Sequence, residues 1–63
     1  MQFRKGDSVQ VASSNGRTKG EITETRYAGP DGGFEIRVTI TQSSRPEFIG
    51  KTLGFMPNEL EKI

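Results

Sequence analysis

Arg17, Lys19, Arg37, Arg45 and Lys51 are the side chains of this 63-residue chain best suited to chemistry, and that chemistry is electrostatic. A guanidinium or ammonium group holds a phosphate oxygen through a charge-assisted hydrogen bond. Arg17 and Lys19 follow the turn-forming stretch Ser13-Ser14-Asn15-Gly16, Arg37 points outward from the longest alternating stretch, and Lys51 begins another. Loop residues and one sheet face can converge into a phosphate-holding patch. Arg17, Lys19, Arg37 and Lys51 are therefore the expected nucleic-acid contacts. The patch is modest, because nine Lys and Arg against eight Asp and Glu leave a net charge of only +1. Glu21, Glu24 and Glu35 also stand close to these bases in sequence.

Other chemistries are poorly served. The chain has no cysteine and no histidine, which removes the thiolate, the disulfide, the commonest general base and the commonest metal ligand. Its acids are scattered, with no spacing that pairs two carboxylates or builds a calcium loop. Asp7 reads as a turn residue whose carboxylate accepts backbone N–H bonds. Gly16 and Gly20 do not make a phosphate cradle, because Gly20 precedes Glu21 and a strand where a P-loop needs Lys, Ser or Thr and a helix. No catalytic residue, metal or cofactor is expected.

An apolar contact with a protein is the alternative. An aromatic cage for methylated side chains has only Tyr27 and four phenylalanines to draw on, and the core claims most of those. Pro46-Glu47-Phe48-Ile49 puts two large apolar residues in a loop, which either lids the core or forms an exposed anchor. The protein-binding candidates are Tyr27, Phe48 and Ile49.

These residues must be positioned by strands. No window shows apolar residues at helical spacing. Ser8-Val9-Gln10-Val11 alternates, as does the Thr-rich run from Glu21 to Tyr27. Phe34-Glu35-Ile36-Arg37-Val38-Thr39-Ile40-Thr41 alternates strictly, with its apolar members on one face. Gly29-Pro30-Asp31-Gly32-Gly33 reads as a turn, and Gln42-Ser43-Ser44-Arg45-Pro46 opens a loop reaching Gly50. A fourth strand covers Lys51 to Phe55, Met56 to Leu60 forms one helical turn behind Pro57, and Glu61-Lys62-Ile63 is a last strand. Gly20 and Gly54, inside strand patterns, mark bulges or bends. Such a short sheet solves its edge problem by curling closed. The expected core is Val9, Val11, Ile22, Phe34, Ile36, Val38, Ile40, Leu53, Phe55, Leu60 and Ile63, with Phe3 and Tyr27 as plugs.

A chain this short is one domain, residues 1–63, with a thin core. Its apolar fraction is only 30%, yet the charges are mixed rather than of one sign, which favours a folded over a disordered chain. No apolar run approaches a membrane span, and the start MQFRKGDS lacks a signal peptide's apolar stretch. A cytoplasmic protein, monomeric or a small homo-oligomer, is expected.

Lys5-Gly6-Asp7-x-Val9-x-Val11 followed by Gly16 and Gly20-x-Ile22 resembles the opening of small SH3-like barrels of the KOW and Tudor-like type. Pro57-Asn58-Glu59-Leu60-Glu61-Lys62-Ile63 resembles their helical turn and final strand. The Gly-Asp-x-Val opening, Gly-Arg-x-x-Gly and the Pro-x-x-Leu-Glu ending are most similar to the bacterial hypervirulence-associated Tudor-like family. The resemblance covers roughly the first 22 and last seven residues and implies an all-β fold: a five-stranded SH3-like barrel with one 3-10 turn before the last strand. KOW-type relatives bind RNA or the transcription machinery, so nucleic acid or a ribonucleoprotein is the implied partner. Plasmid-type dihydrofolate reductases share the Gly-Asp-x-Val opening and Leu-Glu-x-Ile ending, but their pore is lined by a Val-Gln-Ile-Tyr segment. This chain has Lys51-Thr52-Leu53-Gly54-Phe55-Met56 there. A non-catalytic binding module is the expectation, with a reductase-like pore enzyme as the minority reading.

Overall fold

The computed structural model describes residues 3–27 and 33–63, with only the backbone of Tyr27 described. Five strands form one antiparallel sheet: β1 Ser8–Val11, β2 Lys19–Tyr27, β3 Phe34–Gln42, β4 Thr52–Phe55 and β5 Leu60–Lys62. Their order across the sheet is β4-β3-β2-β1-β5. The expected all-β class and the 3-10 turn before the last strand are both present, the turn at Pro57–Glu59. Hydrogen bonding does not close the sheet, and β4 and β5 are its two edges. No helix among the described residues is long and apolar enough to cross a membrane, which leaves strands out of account.

Alternation decides which residues are buried. Ile36, Val38 and Ile40 occupy every second position of β3 and join Val9, Ile22 and Leu60 in the buried core. Phe3, Val11, Phe48, Leu53 and Phe55 pack around it, half-buried. Two residues expected in the core lie outside it. Phe34 is 42% exposed because the β3–β4 ladder covers only Ile36 to Thr39, stopping two residues short of it. Ile63 is 66% exposed because the last strand is set one residue earlier than expected, so that Leu60 enters the core opposite Val11. The turn expected at Gly29–Gly33 falls largely on residues 28–32, outside the described residues, as does the side chain of Tyr27.

Of the two strand glycines, only one marks a register shift. The β2–β3 ladder slips between Lys19 and Gly20, and again between Ile22 and Glu24. A Cβ at Gly20 would collide with the backbone oxygen of Thr39 and stand 2.6 Å from Val38 Cγ1. Gly54, by contrast, sits in an unbroken β3–β4 register, so no bulge marks it. A Cβ there would stand 3.0 Å from the Glu35 carboxylate, which lies over that glycine.

The opening Gly-Asp is a tied turn. Asp7 N–H donates to the Arg4 carbonyl (3.0 Å), and Arg4 N–H donates to Asp7 Oδ2 (2.9 Å). Gly6 supplies φ +94° for that turn, and its N–H donates to the Ile22 carbonyl (2.8 Å). Ile22 N–H returns a bond to the Asp7 carbonyl (2.9 Å). Lys62 Nζ, on the β5 edge, lies 3.3 Å from Asp7 Oδ2. The Arg4 N–H bond is the main reason the Asp7 carboxyl is held below its ordinary pKa; partial desolvation opposes it, and Lys62 adds to it.

Candidate nucleic-acid interface

β1 and β3 both run antiparallel to β2. The connections that leave them, residues 12–18 and 43–51, therefore emerge at the same end of the sheet, where β2 begins. Lys19 opens β2 there, facing Gln10 of β1 on one side and Gln42 of β3 on the other.

The first connection is a tight one. A 3-10 turn at Ala12–Ser14 leads into Asn15 (φ 54°) and Gly16 (φ +80°), two consecutive left-handed residues. Arg17 N–H donates to the Ser14 carbonyl (3.1 Å) and Val11 N–H to the Thr18 carbonyl (2.9 Å). Inside this frame Ser14 Oγ donates to the Val11 carbonyl (2.6 Å) and accepts Thr18 N–H (3.0 Å). With the backbone so constrained, the Arg17 side chain is left in solvent.

The second connection wraps the neighbouring corner. Pro46–Phe48 forms another 3-10 turn, with Phe48 N–H donating to the Arg45 carbonyl (3.1 Å) and Lys51 N–H to the Phe48 carbonyl (3.0 Å). Gly50 (φ +88°) turns the chain back so that its N–H reaches the Ile40 carbonyl (2.8 Å), while Ile40 N–H reaches the Lys51 carbonyl (2.9 Å). Arg45 and Lys51 are thereby pinned by their backbones and exposed by their side chains. Phe48 packs against the core as a lid, whereas the adjacent Ile49 is 49% exposed. Of that apolar pair, one member is thus packed on the core and the other left exposed.

Charge is distributed unevenly. Among the described residues three ion pairs form: Arg26–Glu24 (3.0 Å), Arg37–Glu35 (2.9 Å) and Lys62–Asp7 (3.3 Å). Arg17, Lys19, Arg45 and Lys51 are in none of them. The two connections and the start of β2 hold these four bases against one acid, Glu47; in the rest of the chain five bases face seven acids. Two further acids lie near this end and keep their charge: Glu59, which accepts Met56 N–H (2.7 Å), and Glu61, which accepts the Gln10 side-chain amide (3.2 Å).

Of the four bases expected to act together, Arg17, Lys19 and Lys51 share this end and Arg37 does not. Arg37 lies mid-β3, opposite Glu24 of β2 and Gly54 of β4, with its guanidinium on Glu35. It is five residues from Gln42 along β3, about 16 Å at the rise of a strand. Arg45 lies at this end instead, and the signal that finds it is the common direction of β1 and β3 rather than any local motif. Among the described residues no group of three or more His, Cys, Asp or Glu could hold a metal ion. Comparison with protein-family models, with curated proteins and with solved structures finds no match to this chain.

Proposed function

We propose that this chain is a non-catalytic binding module that takes nucleic acid, free or within a ribonucleoprotein, at the sheet end bearing Arg17, Lys19, Arg45 and Lys51. The observation that carries this is the segregation of charge: the bases on the β2–β3 face are bonded to acids, and those at the loop end are not. These unpaired cations, of which Arg17, Arg45 and Lys51 are exposed and Lys19 half-buried, pay no cost of breaking an ion pair when a phosphate arrives, and they gain from counterion release. Arg37, held by Glu35 and facing Glu24, is not among the contacts. The opening and closing motifs support placing the sheet in the SH3-like group of KOW and Tudor-like domains.

An amide-resolved NMR titration with a short single-stranded RNA and with a DNA duplex, at low and moderate salt, tests it. Shifts clustered at residues 12–19 and 43–51 that fade with salt are expected. Shifts centred on Arg37 and Arg26, or none at low salt, would reject it. The exposed Ile49 favours a second use of the same end, as an apolar protein contact, which salt would leave largely unchanged.

A further inference from the structure

Resting on that nucleic-acid role, we infer that the loop end grips the sugar-phosphate backbone of a double helix and does not read bases. Sequence-tolerant binding of single strands uses aromatic faces on which successive bases stack. The only aromatic residue in the two connections is Phe48, and its ring is committed to the core, packed against the buried apolar cluster. What the same connections present to solvent is a different set of groups. Arg17, Arg45 and Lys51 are exposed cations, and Ser13 and Ser44 are exposed hydroxyls. Such side chains position a protein on phosphates, and contacts of that kind carry no sequence information.

The placement of the cations fits the same ligand. Lys19 on β2 and Lys51 at the head of β4 are separated by the whole of β3. Two strand spacings put their backbones about 10 Å apart laterally. That is comparable with the groove dimension of a duplex, roughly 12 Å across the major groove, so two loops can reach phosphates on both sides of a groove. The connections are short and tied back by their own hydrogen bonds, Ser14 Oγ above all, so neither projects an element that could enter a groove and inspect base edges. A DNA duplex and an RNA duplex offer the same phosphate chemistry.

The test is fluorescence anisotropy of the intact chain with two labelled 20-base-pair DNA duplexes of unrelated sequence, an RNA duplex, and a single strand of equal length. The two DNA duplexes should bind within about 2-fold of each other, and the single strand at least several-fold more weakly. With all four cations engaged, the slope of log K against log salt should be about −3.6, a loss of roughly 150-fold between 50 and 200 mM. Neutralising Arg17→Gln or Lys51→Gln should each make that slope shallower by about 0.9. A preference between the DNA and RNA duplexes would assign the natural source within the same chemistry. Tighter binding of the single strand, or a 10-fold difference between the two DNA sequences, would overturn this inference while leaving the nucleic-acid role intact. No binding to any probe at low salt would overturn both.

Discussion

The face formed by β2 and β3 and the loop end that adjoins it carry the same kinds of charged residue, and the structure uses them in opposite ways. On the face, Arg26 and Arg37 each bond the acid two residues before them on their own strand, Glu24 and Glu35. The register also sets Arg26 opposite Glu35, and Glu24 opposite Arg37. That is a checkerboard in which each charge is met along and across the sheet. At the loop end the backbone is more heavily tied than the side chains, and the cations stand free. The lesson is that a net charge of +1 sums a cationic rim of four bases and one acid with a remainder of five bases and seven acids, in which the β2–β3 checkerboard is itself balanced.

The comparison breaks most visibly at the point where rim passes into wall, which is Gly20. Gly20→Ala places a methyl group against Thr39 and Val38 and should cost about 2–3 kcal/mol by overpacking. A domain of this size holds only about 3–5 kcal/mol in all, so urea denaturation should find the variant with roughly half or more of its stability gone. The same change at Gly54 should be far milder, because the Glu35 side chain can move aside. Next in size is the fourfold change of Arg17, Lys19, Arg45 and Lys51 to Gln. Duplex binding at low salt should fall on the order of 100-fold or more, while the thermal melt should move little, since no ion pair is lost.

Smaller effects sharpen the contrast. Asp7 has a lowered folded-state pKa, so its contribution to stability is present above the ordinary carboxylate pKa. It is lost as pH falls through the lower folded value. A thermal melt followed from pH 7 to pH 3 should therefore show wild type losing stability in that acid window, and Asp7→Asn should flatten that part of the profile. Arg37→Gln is the smallest. Removing a half-exposed partner of Glu35 should cost about 0–1 kcal/mol and leave the salt slope of duplex binding unchanged; a slope shallower by about 0.9 would place Arg37 at the interface after all.

Strand identities were legible because alternation and turn chemistry act locally. The Ser8–Val11 strand, the long β3, the left-handed Asn15-Gly16 and the Asp7 turn all follow from residue types within a few positions. Phe34 and Ile63 were not legible, because alternation states which face a residue occupies and not whether a neighbouring strand extends far enough to cover it. The same limit explains Arg37. Its outward orientation is local information, but its neutralisation depends on how Glu24 and Glu35 fall in the final register. Two of the three 3-10 turns among the described residues, at Ala12–Ser14 and Pro46–Phe48, went unforeseen because each is a single turn stabilised by the loop around it.

The open edge at β4 has a consequence for how this chain behaves when concentrated. Thr52–Phe55 is an outer strand without a single charge, whereas the opposite edge, Leu60–Lys62, carries Glu61 and Lys62. An uncharged edge is a template on which a foreign strand can crystallise its own hydrogen bonds. Its protection is brevity: four residues, closed off by Lys51 before it and Pro57 after it, fall short of the six or seven that a steric zipper needs. A change that extends this strand, Pro57→Val for instance, should raise the tendency of concentrated protein to form fibrils, read by thioflavin fluorescence.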